Sequence, residues 1–296
     1  MLSTLSHRSG RLIGILILLL LLALGGCAST PQKPIADWHD AVVAVQGQST
    51  TVFRSTNDLI RETQIRRAGT LKTIKESDFQ PGLDAESLAI WDRAFDSLAT
   101  YSSALSTLLN PELAAGVGTS TQQLGESIVT TSKSDILTKR PGLASALGKL
   151  GAKLTSLAAG AKARDIMAEA DPAVNEVLAQ MARMIYDDSG GTSSGVYETV
   201  RADWTLRADE IRTEFLSTQS PDAKRDVATR YATTLEKRDA ATSALLGLRA
   251  SITELAAAHR RAAVGAPMDT AALIASIREQ TAFFKGLLTD LKPAKN

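Results

Sequence analysis

Apolar residues recur at alternating steps of four and three positions along almost the whole chain, and this spacing is the strongest constraint on its fold. Leu88, Trp91, Phe95 and Leu98 follow it, and Asn110-Pro111 ends their row. Such residues share one face of an α-helix, whereas a half-buried strand would alternate apolar and polar residues. We find no convincing alternating segment. The sequence therefore predicts an all-α fold, an elongated antiparallel bundle of long helices.

Capping residues and breaks in the rows divide the predicted bundle into helices. Asp84, Asp171, Ser220 and Asp269 are predicted N-caps, and prolines follow two of them directly. The first two helices are expected to form a hairpin that buries Trp91 and Phe95. The predicted helices span about 36–77, 84–109, 122–137, 141–157, 171–186, 196–215, 221–264 and 269–291.

Composition narrows the classes of protein to which the chain can belong. Cys27 is the only cysteine, so the protein has no internal disulfide and no second thiolate for a metal or a catalytic site. Lys and Arg number 33 against 32 Asp and Glu, a balance that argues against a dedicated nucleic-acid binder. Aromatic residues make up 4%, which suits long helices better than a β-sandwich.

The N-terminal segment has the layout of a secretory signal. Arg8 and Arg11 precede an uncharged apolar run, 12–24, that is too short to span a bilayer. The run closes on Leu24-Gly25-Gly26-Cys27, which resembles the lipobox of bacterial lipoproteins. Gly25 departs from the pattern, since the family more often has Ala, Ser or Thr there.

The lipoprotein resemblance implies a processing route and a location. It implies cleavage before Cys27, a thioether-linked lipid on that residue, and acylation of the new amino terminus by a fatty acid such as palmitate. Residues 1–26 are then a removed signal peptide, 27–34 a tether and 35–296 a single elongated helical domain. Ala28 and Ser29 stand where Asp tends to cause inner-membrane retention in such lipoproteins. In a Gram-negative cell, attachment to the outer membrane, facing the periplasm, is therefore expected.

Residues suited to catalysis or metal binding are sparse. His39 and His259 are far apart, and we predict that both occupy surface or helix-end positions. Asp187 and Glu198 have the twelve-residue spacing of a calcium loop, but Thr192 replaces the glycine that such a loop needs. The segment 142–149 differs from a phosphate-binding loop in its glycine spacing. We predict no cofactor, no metal and no enzymatic activity.

The stretch from 139 to 164 is unusual because it carries six basic residues and no acidic residue. Its leucines also form a narrow row. A basic amphipathic helix can lie in an anionic membrane surface, but a bundle helix with a solvated basic face has the same pattern. Its glycines suit close helix packing or a conformational change. The basic residues are Lys139, Arg140, Lys149, Lys153, Lys162 and Arg164, and the leucines are Leu143, Leu147, Leu150, Leu154 and Leu157.

Four functions stay open on the sequence. The favoured one is a non-enzymatic structural or adaptor lipoprotein, held to the membrane through Cys27 and bound to another envelope protein by long helical faces. The alternative is a membrane-active protein that inserts residues 139–164. An enzyme lacks a recognisable site, and a small-ligand carrier would need a gap between helices.

Overall fold

The computed structural model describes residues 32–69, 71–109, 117–156, 162–189, 193–266 and 269–290. Within these ranges the chain is almost entirely α-helical, and the one β-type contact is an isolated bridge between Asp187 and Ser194. This confirms the all-α bundle. The helices are α1 (Gln32–Ala68), α2 (Ala85–Leu108), α3 (Val117–Ser132), α4 (Asp135–Thr138), α5 (Pro141–Thr155), α6 (Ala163–Ile185), α7 (Val196–Ser217), α8 (Pro221–Ala263) and α9 (Thr270–Asp290).

Helices α1 and α2 form the expected antiparallel hairpin. The rings of Phe53 on α1 and Trp91 on α2 lie with their centroids 5.0 Å apart. At the turn, the Asn57 amide accepts a hydrogen bond from the Leu83 N–H at 2.9 Å and donates one to the Leu83 carbonyl at 2.8 Å. Trp91 and Phe95 are both buried, as predicted.

Helix α8 is the longest helix and runs antiparallel to α1. Near the start of α1, Trp38 Nε1 donates to the Leu255 carbonyl at 3.1 Å. Near the end of α1, Glu62 pairs with the buried Lys237 at 2.9 Å. The 43 residues of α8 correspond to a length of roughly 65 Å. The chain therefore enters the bundle at the end where α8 finishes.

Helices α3 and α5 approach each other closely because each has a glycine at their crossing. A methyl group added at Gly151 would lie 2.6 Å from the Gly125 carbonyl oxygen, too close for any other residue type without movement. One turn earlier, a methyl group at Gly148 would make an ordinary contact of 3.4 Å with Ser132 Oγ. The glycines of the basic stretch that the structure describes thus take part in helix packing.

The predicted caps are found at three helix starts. The Asp84 carboxylate accepts from the Ser87 N–H at 2.6 Å, and Asp269 accepts from the Ala272 N–H at 3.0 Å. Ser220 caps α8, and Pro141 lies in the first turn of α5. Short polar side chains at these positions accept the N–H groups that have no partner inside the helix.

The predicted helix start at Asp171-Pro172 is wrong. Helix α6 begins eight residues earlier and continues through Pro172, which leaves the Ala168 carbonyl without its usual donor. Packing against α5 and α8 outweighs this loss because the apolar face of α6 continues on both sides of the proline. The buried residues of that face include Ile166, Met167, Ala170, Val174, Leu178, Met181 and Ile185.

Other predicted boundaries shift by several residues. Helix α1 spans Gln32–Ala68, so it takes up the last residues of the predicted tether and ends before 77. The single helix expected over 122–137 is instead α3 followed by the one-turn α4. No helix in the described part of the chain combines the length and the apolar character needed to cross a bilayer.

Candidate functional site

The predicted lipidation site lies outside the described residues. Cys27 and the signal segment 1–26 precede the first described position, Gln32. The structure therefore does not test the lipobox prediction.

A buried polar cluster surrounds His259 on α8. His259 Nδ1 donates to Asp171 Oδ1 at 2.8 Å, and the Tyr101 hydroxyl donates to His259 Nε2 at 3.2 Å. One neutral tautomer satisfies both bonds. The Trp38 ring packs edge-on against the imidazole, with centroids 4.7 Å apart. Asn175 Nδ2 also donates to Asp171 Oδ1 at 2.8 Å. The cluster thus joins helices α1, α2, α6 and α8.

Burial dominates the electrostatics of this cluster. It lowers the pKa of His259, an effect that the hydrogen bond to Asp171 opposes. Burial also raises the pKa of Tyr101 well above its ordinary value, so the phenol keeps its proton. For Asp171, burial raises the pKa, but the hydrogen bonds from His259 and Asn175 outweigh burial and leave that pKa below its ordinary value. Near neutral pH the cluster therefore contains a neutral imidazole and a carboxylate.

Hydrogen bonds link Tyr101, His259 and Asp171 in a row, as in a proton relay, but a substrate has no access to this row. Tyr101 and His259 are fully buried, whereas Asp171 and Asn175 are partly exposed. A substrate could contact the imidazole only if the helices separated. The arrangement instead satisfies buried polar groups and fixes the relative positions of four helices.

His259 lies about one turn before the end of α8, but the prediction that it lies at the surface is wrong, because its ring is fully buried. The signal that could have located it is its spacing: Leu248, Ile252, Leu255 and His259 keep the four-three rhythm on the inner face of α8. Histidine in such a row is buried when partners on other helices satisfy both ring nitrogens.

His39 lies half-buried on α1, where its ring contacts a serine. Its Nδ1 lies 2.7 Å from Ser102 Oγ, and the Ser102 hydroxyl donates to the Ala99 carbonyl at 2.8 Å. The tautomer of His39 that is protonated on Nδ1 satisfies both contacts, with the serine oxygen accepting from His39 while its hydroxyl donates to the carbonyl.

The two loop motifs considered in the sequence do not assemble sites. Asp187 accepts hydrogen bonds from the N–H and hydroxyl of Ser189, while Glu198 pairs with Arg201 at 2.8 Å. Among the described residues, no group of three or more His, Cys, Asp or Glu side chains is arranged to hold a metal ion. The segment 142–149 lies within helix α5.

The basic stretch is packed into the bundle over its described part. Its leucines up to Leu154 are buried, with Leu150 fully so. Lys149 pairs with Glu176 at 2.9 Å and Lys153 with Glu169 at 2.7 Å, both carboxylates belonging to α6. The basic face is thus balanced by acidic residues of the neighbouring helix. These contacts favour the packing interpretation of residues 139–164.

Helices α7 and α8 extend beyond the core as a two-helix tip. We call residues 209–226 the tip, and none of them is buried. Phe215 and Leu216 are exposed there, Leu216 to 70%, and Lys224 Nζ lies 5.4 Å from the centre of the Phe215 ring. Sequence reasoning located both helices but not this surface, because the α7 row continues to Phe215 without a visible change.

The His259 cluster predicts a pH dependence of stability. The lowered pKa means that acidification protonates the unfolded imidazole, near pH 6.5, before the buried one. The free energy of unfolding should therefore be highest above pH 6.5 and should decrease between pH 6.5 and 5, by at most about 1.4 kcal/mol per pH unit. Urea unfolding at a series of pH values measures this slope.

Two variants test whether His259 causes this pH dependence of the free energy of unfolding. His259→Gln should abolish the decrease between pH 6.5 and 5, whereas His39→Gln should retain it. The lowered pKa of Asp171 affects stability at lower pH, below about 4. An unchanged slope in His259→Gln would contradict the assignment.

Comparison of the chain with protein-family models, with curated proteins and with solved structures finds no match.

Proposed function

We propose that the protein is a lipid-anchored component of a bacterial cell envelope with a non-enzymatic structural or adaptor role. In this proposal Cys27 carries the lipid, the helical domain lies in the periplasm at the outer membrane, and the tip binds another envelope protein. The observation that carries the adaptor role is the exposed tip, which extends from the end of the bundle opposite to the start of α1.

The polarity of the bundle supports this arrangement. Helix α1 begins five residues after Cys27, at the end of the bundle where Trp38 contacts the last third of α8. From Leu255 to Pro221, α8 continues without interruption for 35 residues, or roughly 50 Å. A lipid on Cys27 would thus hold one end at the membrane and direct the tip away from it.

The composition of the tip suits a partner-binding surface. Its helices are held together partly by the ion pair between Arg230 and Glu214, and two large apolar side chains remain open to solvent. Exposed apolar side chains close together, with charged residues around them, are typical of protein-binding sites. Lipid tethering would raise the effective concentration of the tip toward a partner in the same envelope.

Cys27→Ser tests the anchor. The variant loses the thiol that forms the thioether, so we expect an uncleaved precursor that carries no lipid. Immunoblotting of fractionated cells measures the apparent mass and membrane association. Wild-type cells in which the processing peptidase is inhibited provide an uncleaved precursor as the reference for apparent mass. Normal processing and membrane attachment of Cys27→Ser would contradict the proposal.

Photo-crosslinking tests the adaptor role of the tip. A benzophenone amino acid at position 216 should give an adduct of one defined mass in intact cells. The same amino acid in place of Leu246, which is 40% exposed in the middle of α8, is the control and should not give that adduct. Absence of an adduct at position 216, or the same adduct at both positions, would contradict a specific role of the tip.

A further inference from the structure

A cavity of about 490 Å³ opens between the starts of helices α5 and α7 and the end of α6. Its apolar lining includes Leu83, Trp91 and Met184, and its polar lining includes Arg140, Arg183 and Gln180. This volume is within the range of pockets that bind small molecules, which combine apolar walls with a few polar groups. The cavity is separate from both the tip and the His259 cluster.

Arg140 and Arg183, both exposed to solvent, give this cavity its positive charge. Within the described ranges, the structure gives neither guanidinium group a hydrogen bond or an ion pair, although many other basic side chains contact carboxylates. Both line the same cavity. A guanidinium group is a planar donor that binds carboxylate and phosphate through two parallel hydrogen bonds.

Two carboxylates near the cavity interact electrostatically with the arginines, Asp84 with Arg140 and Asp187 with Arg183, but neither forms a direct ion pair with them. Asp84 accepts from the Ser87 N–H at 2.6 Å as the cap of α2. Asp187, which also lines the cavity, accepts from the Ser189 N–H at 3.0 Å and the Ser189 hydroxyl at 2.7 Å. These hydrogen bonds are the main reason that the pKa of each carboxyl is lowered. The residues that line the cavity include one carboxylate and two guanidinium groups, and Asp84 lies close enough to Arg140 to offset part of this positive charge.

The backbone contributes potential of both signs, because two helix starts and the carbonyl end of α6 meet at the cavity. Helices α5 and α7 both start at the cavity, and the residues before them, Arg140 and Gly195, provide no side-chain cap. Unpaired N–H groups at a helix start attract negative charge. The Gln180 amide lies against the start of α5, since a methyl group at Gly142 would meet its oxygen at 2.7 Å. That amide supplies a further polar contact for a bound group.

We propose that this cavity binds a small organic anion, with a carboxylate or phosphate held by Arg140 and Arg183 and an apolar body against the Trp91 wall. The two arginines hold the anionic group of the ligand, and burial of the apolar part of the ligand provides its affinity. This binding activity is independent of the proposed adaptor role, because the cavity lies away from the tip.

Binding of simple probes to the full-length protein in detergent tests the proposal. The probes are benzoate and phenyl phosphate, which combine a ring with either anionic group, and benzamide is the neutral control. Saturation-transfer NMR titration should show saturable binding of the two anions, competition between them, and no saturable binding of benzamide. The stronger anion identifies the preferred chemistry of the site.

Charge-removing variants assign the binding to the cavity. Arg140→Gln/Arg183→Gln should weaken anion binding at least tenfold. The matched control is Arg212→Gln/Arg225→Gln, which removes the same charge from exposed arginines in the tip and should leave affinity unchanged. Thermal unfolding checks that each variant is folded. Arg140→Lys/Arg183→Lys, which keeps the charge, should bind more weakly than the parent but more tightly than the glutamine variant.

Several results would overturn the proposal. Anion signals that do not saturate, equal binding of benzamide, or equal affinity in the cavity and tip variants would each show that the arginines do not form a site. If the glutamine variant unfolds, parent-like affinity in the lysine variant would overturn the bidentate contact.

Discussion

We expect Phe95→Ala to lower the free energy of unfolding by about 3–5 kcal/mol. Phe95 is fully buried on α2, and its ring lies 6.2 Å from that of Trp91, which in turn packs on Phe53 of α1. Truncation removes apolar contacts and leaves a cavity at the seam of the first hairpin. A loss of this size is a large part of the 5–15 kcal/mol that stabilises a typical domain. Urea denaturation measures it.

A second phenylalanine provides the control for this experiment. Phe283 on α9 is 68% exposed, so Phe283→Ala should change the free energy of unfolding by no more than about 0.5 kcal/mol. Equal stability of both variants and the parent would show that the α1–α2 seam is wrongly placed.

Leu150→Ala is expected to cost about 2–5 kcal/mol. Leu150 is fully buried in the middle of α5, between α3 and α6. The matched control is Leu246→Ala, because Leu246 is 40% exposed and its truncation leaves no enclosed cavity. A parent-like melting curve for Leu150→Ala would indicate that α5 is not held in the bundle.

Charge reversal in the same helix separates packing from membrane activity. Lys149 and Lys153 form exposed pairs with α6, so Lys149→Glu/Lys153→Glu should cost no more than about 1 kcal/mol per pair. A membrane-active helix would instead bind anionic vesicles in a salt-sensitive manner and lose that binding on charge reversal. Such a result would favour the alternative function over the adaptor role.

The architecture was accessible from the sequence because local signals agree with the packing. The caps at Asp84, Ser220 and Asp269 mark helix starts that the structure confirms. The row through Trp91 and Phe95 identifies a buried face because helical periodicity depends only on neighbouring positions. Such signals need no knowledge of the partner helix.

The remaining features depend on contacts between distant segments. Pro172 is a strong local sign of a helix start, but packing on both sides of it carries α6 through. The role of His259 depends on Asp171 and Tyr101, which are 88 and 158 positions away. The cavity likewise is lined by Arg140, which precedes α5, and by Arg183 of α6. No local pattern in the sequence specifies which distant residues come into contact at these places.

The mass of the N-terminal peptide of the protein purified from bacterial membranes tests the central claim most directly. The proposal predicts that the mature chain begins at Cys27, with a diacylglycerol thioether on its sulfur and an acyl group on its amine. A free thiol at Cys27, or a mature chain that begins at another residue, would contradict it.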